Sequence, residues 1–195
     1  MHTVSLTDIQ PGPWRNGGGM TRELLTWPLN APDWQLRLTL AEITRDGPSS
    51  DFPGVDRWFS VATGNGVVMT FAHDQVWLAP GSDPLCFDGG AASDCDLHEG
   101  PVRAFNFMVA QAAGRGSMQR LQPGMMWGSR ARWRAAFVLD PAHLTVGDGA
   151  AHELADGTLI WTDQADGENW RITATDGDDA DVRGWWMEYF SVPIA

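Results

Sequence analysis

Trp34-Gln35-Leu36-Arg37-Leu38-Thr39-Leu40-Ala41-Glu42-Ile43 alternates with period two. Successive side chains of a strand point to opposite faces, so Leu36, Leu38 and Leu40 fall on one side and Arg37, Thr39 and Ala41 on the other. The pattern predicts a strand with one large apolar face and one face of small or polar groups. Working outward, residues 21–26 read as a strand before it, and Asp46-Gly47-Pro48 and Phe52-Pro53-Gly54 supply turn chemistry after it. Residues 57–62 and 67–71 read as strands joined by a Gly64-Asn65-Gly66 hairpin turn. A further hairpin is expected between Gln75-Val76-Trp77-Leu78 and Leu85-Cys86-Phe87. Residues 102–109 close the first half as another alternating strand.

The stretch 112–118 is small, polar and Gly-containing, and marks the expected boundary. Beyond it, residues 133–139, 144–146, 158–161, 170–175 and 185–192 repeat the rhythm of short strand, Gly turn and strand. No segment carries sustained helical periodicity with caps at both ends. The expectation is therefore an all-β chain with few or no helices, built as two fused jelly-roll β-barrels. Residues 1–113 form the first barrel with the pocket, and residues 114–195 the second, fused to the first as one compact unit. In the terminal strand Trp185 and Trp186 straddle the chain, so only one need face inward. That apolar strand would be a natural edge for a homodimer.

Composition narrows the function. Of 195 residues 43% are hydrophobic, with 11 Trp, enough for a packed core. Formal net charge is −12 and all 13 basic residues are Arg. So acidic a chain is a poor nucleic-acid binder, because such binding draws on phosphate neutralisation. No apolar run is long enough to span a membrane. The N-terminal residues lack the basic start and apolar core of a signal peptide, and only Cys86 and Cys95 occur, which sets a cytoplasmic location with reduced thiols as the expectation. The run Asp176-Gly177-Asp178-Asp179-Ala180-Asp181 reads as a polar turn; it lacks the ligand spacing and closing Glu of a calcium loop.

The most unusual local feature is Pro13-Trp14-Arg15-Asn16-Gly17-Gly18-Gly19-Met20-Thr21-Arg22-Glu23. Consecutive glycines suit positive φ or a close approach of backbone to a ligand or another strand. A phosphate loop is excluded, because no Lys-Ser/Thr follows. The five histidines (His2, His73, His98, His143 and His152) show no metal-ligand spacing, so neither a metal nor another cofactor is expected. No serine or cysteine sits in a nucleophile context. Glu23 and Asp46 are the carboxylates open to general acid–base work if the protein is an enzyme.

Three blocks carry a resemblance: Trp14 through Glu23; Arg37-Leu38-Thr39-Leu40-Ala41; and Asp46-Gly47-Pro48-Ser49-Ser50-Asp51-Phe52-Pro53-Gly54-Val55-Asp56-Arg57. With Phe105-Asn106-Phe107-Met108 they resemble the signature of the HutD/Ves family, in the right order across the first half. The resemblance implies a double-cupin (RmlC-like) fold and a link to histidine utilisation through sensing a pathway intermediate. It departs at Ser49, where the family usually has Phe, which rebuilds one wall of the pocket. It also sharpens the metal argument: the stretch 47–66, where a metal-binding cupin carries its His-x-His and Glu, holds no histidine.

On this reading the first barrel binds a small carboxylate of the urocanate or formylglutamate type. Arg37 and Arg57 recognise the anion, and Asn16, Thr21, Ser50 and Asn106 supply neutral hydrogen bonds. Phe52 and Met108 form an apolar wall. Arg15 either joins the ligand or forms an ion pair with Glu23; the structural alternative for Arg37 is a cross-strand salt bridge. Two functions stay open: a non-enzymatic sensor, or a metal-independent isomerase or hydrolase acting on a small acid through Glu23 or Asp46.

Overall fold

The computed structural model describes residues 1–14, 17–164, 167–175 and 181–192. The described chain is built from strands, with one 3-10 turn at Leu6–Asp8 and no α-helix. In chain order they are β1 (His2–Ser5), β2 (Gly12–Pro13), β3 (Gly19–Trp27), β4 (Leu36–Ile43), β5 (Gly47–Pro48), β6 (Val55–Thr63), β7 (Val67–Phe71), β8 (Asp74–Leu78), β9 (Leu85–Asp88), β10 (Ser93–Leu97) and β11 (Val102–Ala110). There follow β12 (Gly114–Arg120), β13 (Met126–Trp127), β14 (Trp133–Val138), β15 (Ala142–Val146), β16 (His152–Leu154), β17 (Thr158–Thr162), β18 (Trp170–Ala174) and β19 (Gly184–Ser191). The polar turn read at 176–181 falls almost wholly outside the described residues, as do Arg15 and Asn16.

The strands cluster into two compact units. Ile9–Gly116 holds a six-stranded sheet in the order β2-β3-β4-β11-β6-β9 and a four-stranded sheet in the order β5-β10-β7-β8. The other unit joins Met1–Asp8 to Ser117–Ser191, with sheets β1-β17-β14-β19-β12 and β13-β18-β15-β16. The division differs from a simple cut after residue 113, because β1 pairs antiparallel with β17 over His2↔Trp161 to Ser5↔Thr158. Such a pairing, closed across the whole chain, leaves no local sequence signal.

Several local expectations are revised. Residues 75–78 and 85–87 do not form a hairpin: β8 pairs with β7 through a tight turn at Ala72 (φ 43°), and β9 pairs with β6 in the other sheet. The expected boundary stretch 112–118 is largely β12, and the division between the two units falls within it, after Gly116. Its Gly116 is there for closeness, since a Cβ would press within 2.8–2.9 Å of the Val109 and Phe107 side chains. The terminal strand β19 lies between β14 and β12, so it is not an edge. Trp185 and Trp186 are both buried, at 4% and 2% exposure. Trp185 stacks on Phe137 and Trp186 on Trp127, so both faces of β19 are packed.

In the Ile9–Gly116 unit, both faces of the central strands are buried. Leu36, Leu38, Phe105 and Phe107 are inaccessible on one face. On the other, Ala41, Ile43, Phe59, Val61, Val67, Met69, Leu78, Cys95, Val102 and Ala104 form a core cluster between the two sheets. Above that cluster the inward side chains become polar.

Candidate functional site

The register of β3, β4, β11 and β6 sets those inward residues out as a grid. Arg37, Met108 and Arg57 face one another across β4, β11 and β6. Two residues along each strand, the next row reads Glu23, Thr39, Asn106 and Phe59. The row below it reads Thr21, Ala41, Ala104 and Val61. Strand spacing puts the two arginine Cα atoms about 10 Å apart. At Leu24 a bulge shifts the β3–β4 register, so Leu24 and Leu25 are both buried just beyond Glu23. All the residues of these rows but Ala104 and Val61 line a cavity of about 350 Å³, whose other walls include Trp14, Arg45, Asp46, residues 47–50, Phe52 and Cys95.

Arg57 is the electrostatic centre. It is 7% exposed, yet no carboxylate lies within ion-pair reach among the described residues. Its Nε and Nη2 donate to Asn106 Oδ1 at 3.0 and 2.7 Å, and its Nη1 donates to Ser49 Oγ at 2.7 Å and to the Ser50 carbonyl at 3.3 Å. A guanidinium has five N–H donors, so one on Nη2 stays unspent. The rings of Phe87, Phe59 and Phe52 lie 5.4, 5.8 and 5.9 Å from its carbon. Burial, aided by the neighbouring Arg37 charge, lowers its pKa to about 10, so it stays cationic at neutral pH. Its position is fixed by neutral oxygens and its charge is left uncancelled.

Arg37 is held differently. Its Nε donates to Glu23 Oε2 at 2.8 Å, the cross-strand salt bridge that was the structural alternative, and its carbon lies 5.9 Å from the Phe52 ring. Glu23 therefore has Arg37 as its observed partner; Arg15, the expected one, lies outside the described residues, as does Asn16. Thr21 Oγ1 accepts the Trp14 indole N–H at 2.6 Å. Asp46 Oδ1 accepts the Leu97 backbone N–H at 2.8 Å, a structural duty. Of the expected site residues, Thr21, Arg37, Ser50, Phe52, Arg57, Asn106, Met108, Glu23 and Asp46 all line this one cavity. Reading the sequence missed Thr39, Phe59 and Cys95 as lining residues and Ser49 as the acceptor for Arg57. The departure at Ser49 was the available signal.

The loop carrying Ser49, Ser50 and Phe52 is tied down by backbone bonds from Ser49 N to Ser93 O and from Phe52 N to Gly89 O, both 2.8 Å. The triple glycine serves backbone approach. Gly17 takes a left-handed φ of 68°, and a Cβ on Gly19 would collide with the Glu42 carbonyl oxygen. Burial pushes the Cys95 thiol up to about 11, against the pull of Arg57, which makes it a poor nucleophile at neutral pH. The donors here do not fit a metal ion. No imidazole lines the cavity among the described residues, Glu23 and Asp46 are engaged, and three arginines, Arg37, Arg45 and Arg57, line the same space.

The fold and cavity define a double-cupin protein with a cationic, neutral-cradled pocket. The chain belongs to the HutD family, whose model matches residues 6–180. Among solved structures it is similar to HutD from Pseudomonas fluorescens SBW25, with a TM-score of 0.84, 24% identity and 98% of each chain covered. It is 32% identical over 98 residues to Protein Ves of Citrobacter koseri, covering 49% of this chain and 51% of that one. It is likewise 32% identical over 111 residues to an uncharacterized 21.2 kDa protein in the hutC 3' region of Pseudomonas putida, covering 55% of this chain and 57% of that one. The chain thus matches about half the length of these curated relatives.

Proposed function

We propose that the protein binds a small carboxylate against Arg57 and acts as a non-enzymatic sensor of histidine utilisation in the cytoplasm. The observation that carries the binding step is the buried, cavity-facing Arg57 with no acidic partner: a desolvated cation held ready is a carboxylate receptor. The histidine link rests on the relatives' names, HutD and the hutC region. Urocanate and formylglutamate are the candidate ligands, reaching an apolar wall of Phe52 and Met108 beyond the arginine. The competing enzyme reading draws on Glu23 or Asp46, both of which the structure engages elsewhere.

Isothermal calorimetry with each compound, followed by product analysis on whichever binds, tests this. The sensor reading expects saturable binding without turnover, lost in Arg57→Met. Turnover abolished by Glu23→Gln or Asp46→Asn would replace it with the enzyme. No binding at millimolar concentration would remove the histidine link.

A further inference from the structure

Thr39 sits in the middle of the site's second row, registered between Glu23 and Asn106. It is 3% exposed and lines the cavity, yet its hydroxyl has no hydrogen-bond partner among the described residues. The residue is buried but its oxygen is open to the cavity, so a group entering the cavity is what can pair with it. Its neighbours on the grid are already committed: Asn106 Oδ1 to Arg57, and Glu23 to Arg37. Diagonally across β3 and β4, Thr21 accepts from Trp14 and so keeps its own O–H to donate.

We infer that Thr39, with Thr21 beside it, forms a neutral hydroxyl subsite that reads an uncharged acceptor on the ligand, such as a ketone or amide carbonyl. This deepens the carboxylate reading and rests on it. The acid group sits at Arg57, and the carbonyl sits a short chain away, at the row of Thr39. The ligand class is then an acid carrying a second, uncharged polar group. A purely aliphatic acid would offer Thr39 no acceptor, and a second carboxylate would not be what this subsite selects.

The test compares 4-oxopentanoate and 5-oxohexanoate with pentanoate and hexanoate by calorimetry. In the wild-type chain at least one oxo acid should bind about fivefold more tightly than its plain counterpart, the worth of one neutral hydrogen bond. Thr39→Val, which keeps the shape, should erase that difference, and Thr39→Ser should restore it. The wild-type comparison stands even if Thr39→Val folds poorly. Equal binding of oxo and plain acids, or an undiminished preference in Thr39→Val, overturns the inference and leaves the Arg57 reading intact. Failure of all four acids to bind overturns both.

Discussion

Replacing Arg57 with methionine separates a receptor from a structural cation. Chiefly by desolvation, the folded state lowers this group from the ordinary arginine value to about 10. At about 1.4 kcal/mol per pH unit, that is an ionisation penalty on the order of 3 kcal/mol carried by the folded protein. Methionine removes the penalty and fills similar volume. It leaves Asn106 Oδ1, Ser49 Oγ and the Ser50 carbonyl without their donor, but all three residues line a cavity where water can serve them, at about 1 kcal/mol each. The terms nearly cancel, so the expected Tm lies within about 2–4 °C of the wild type, the equivalent of roughly 1 kcal/mol for a chain of this size. The folded value lies below the unfolded one, so above about pH 10 the unfolded chain holds more protons. Wild-type stability from this group therefore rises only above that pH, and the stability of Arg57→Met relative to the wild type should be flat below about pH 10 and fall above it. Calorimetric unfolding with and without a saturating carboxylate reads all of this. At a hundred times Kd the ligand should add about 2.7 kcal/mol to the wild type and nothing to the variant. A variant that loses more than about 2 kcal/mol, or that the ligand stabilises equally, would refute the receptor argument.

Asn106→Asp gives Arg57 the carboxylate it lacks, on the atom position that already accepts two of its bonds. Carboxylate affinity should drop at least about tenfold by calorimetry while Tm is maintained, since the ligand must now displace an internal partner. Gly19→Ala should cost about 2 kcal/mol or more in urea unfolding, because the new methyl meets the Glu42 backbone rather than a side chain that can turn away. Asp140 is lowered by its hydrogen bonds and charge interaction with Arg183. The stabilisation is present above the usual carboxylate value and lost as pH falls below it. Asp140→Asn should therefore reduce Tm at pH 7 and narrow its gap from the wild type in acid-titrated melts.

What could be read before the structure followed from short-range physics. Arg57, Asn106 and Met108 stood out through the resemblance to the family signature, whereas alternation along β4 put Arg37, Thr39 and Ala41 on one face. Strand positions of this kind are set by a period of two and survive any uncertainty about partners. The pairing itself was less legible. Residues 75–78 and 85–88 are close in sequence yet belong to different sheets, and β1 finds its partner more than 150 residues away. Thr39 and Ser49 were missed for a different reason. A threonine in a strand and a serine after a proline have ordinary structural uses. Only the missing partner of one hydroxyl and the Arg57 bond of the other mark them, and both facts exist only in three dimensions.

Comparison with Arg37 and Arg183 makes the case for Arg57 stronger than its burial alone. Acids outnumber arginines 25 to 13, so a carboxylate partner is easily supplied. Arg183, half exposed, is held by Asp140, and Arg37, on the same cavity wall, is held by Glu23. Exposed pairs of this kind contribute little to stability, whereas a desolvated cation gains most from a partner. Here the order is reversed: Arg37 and Arg183, the more solvated, have acids, and the buried Arg57 has an amide, a hydroxyl and a carbonyl. Those groups reproduce the orientation a carboxylate would impose without cancelling the charge. A folding role alone would favour aspartate at position 106. Asparagine there leaves the charge available to something that enters the cavity, and a small carboxylate is the group whose geometry and sign complete it.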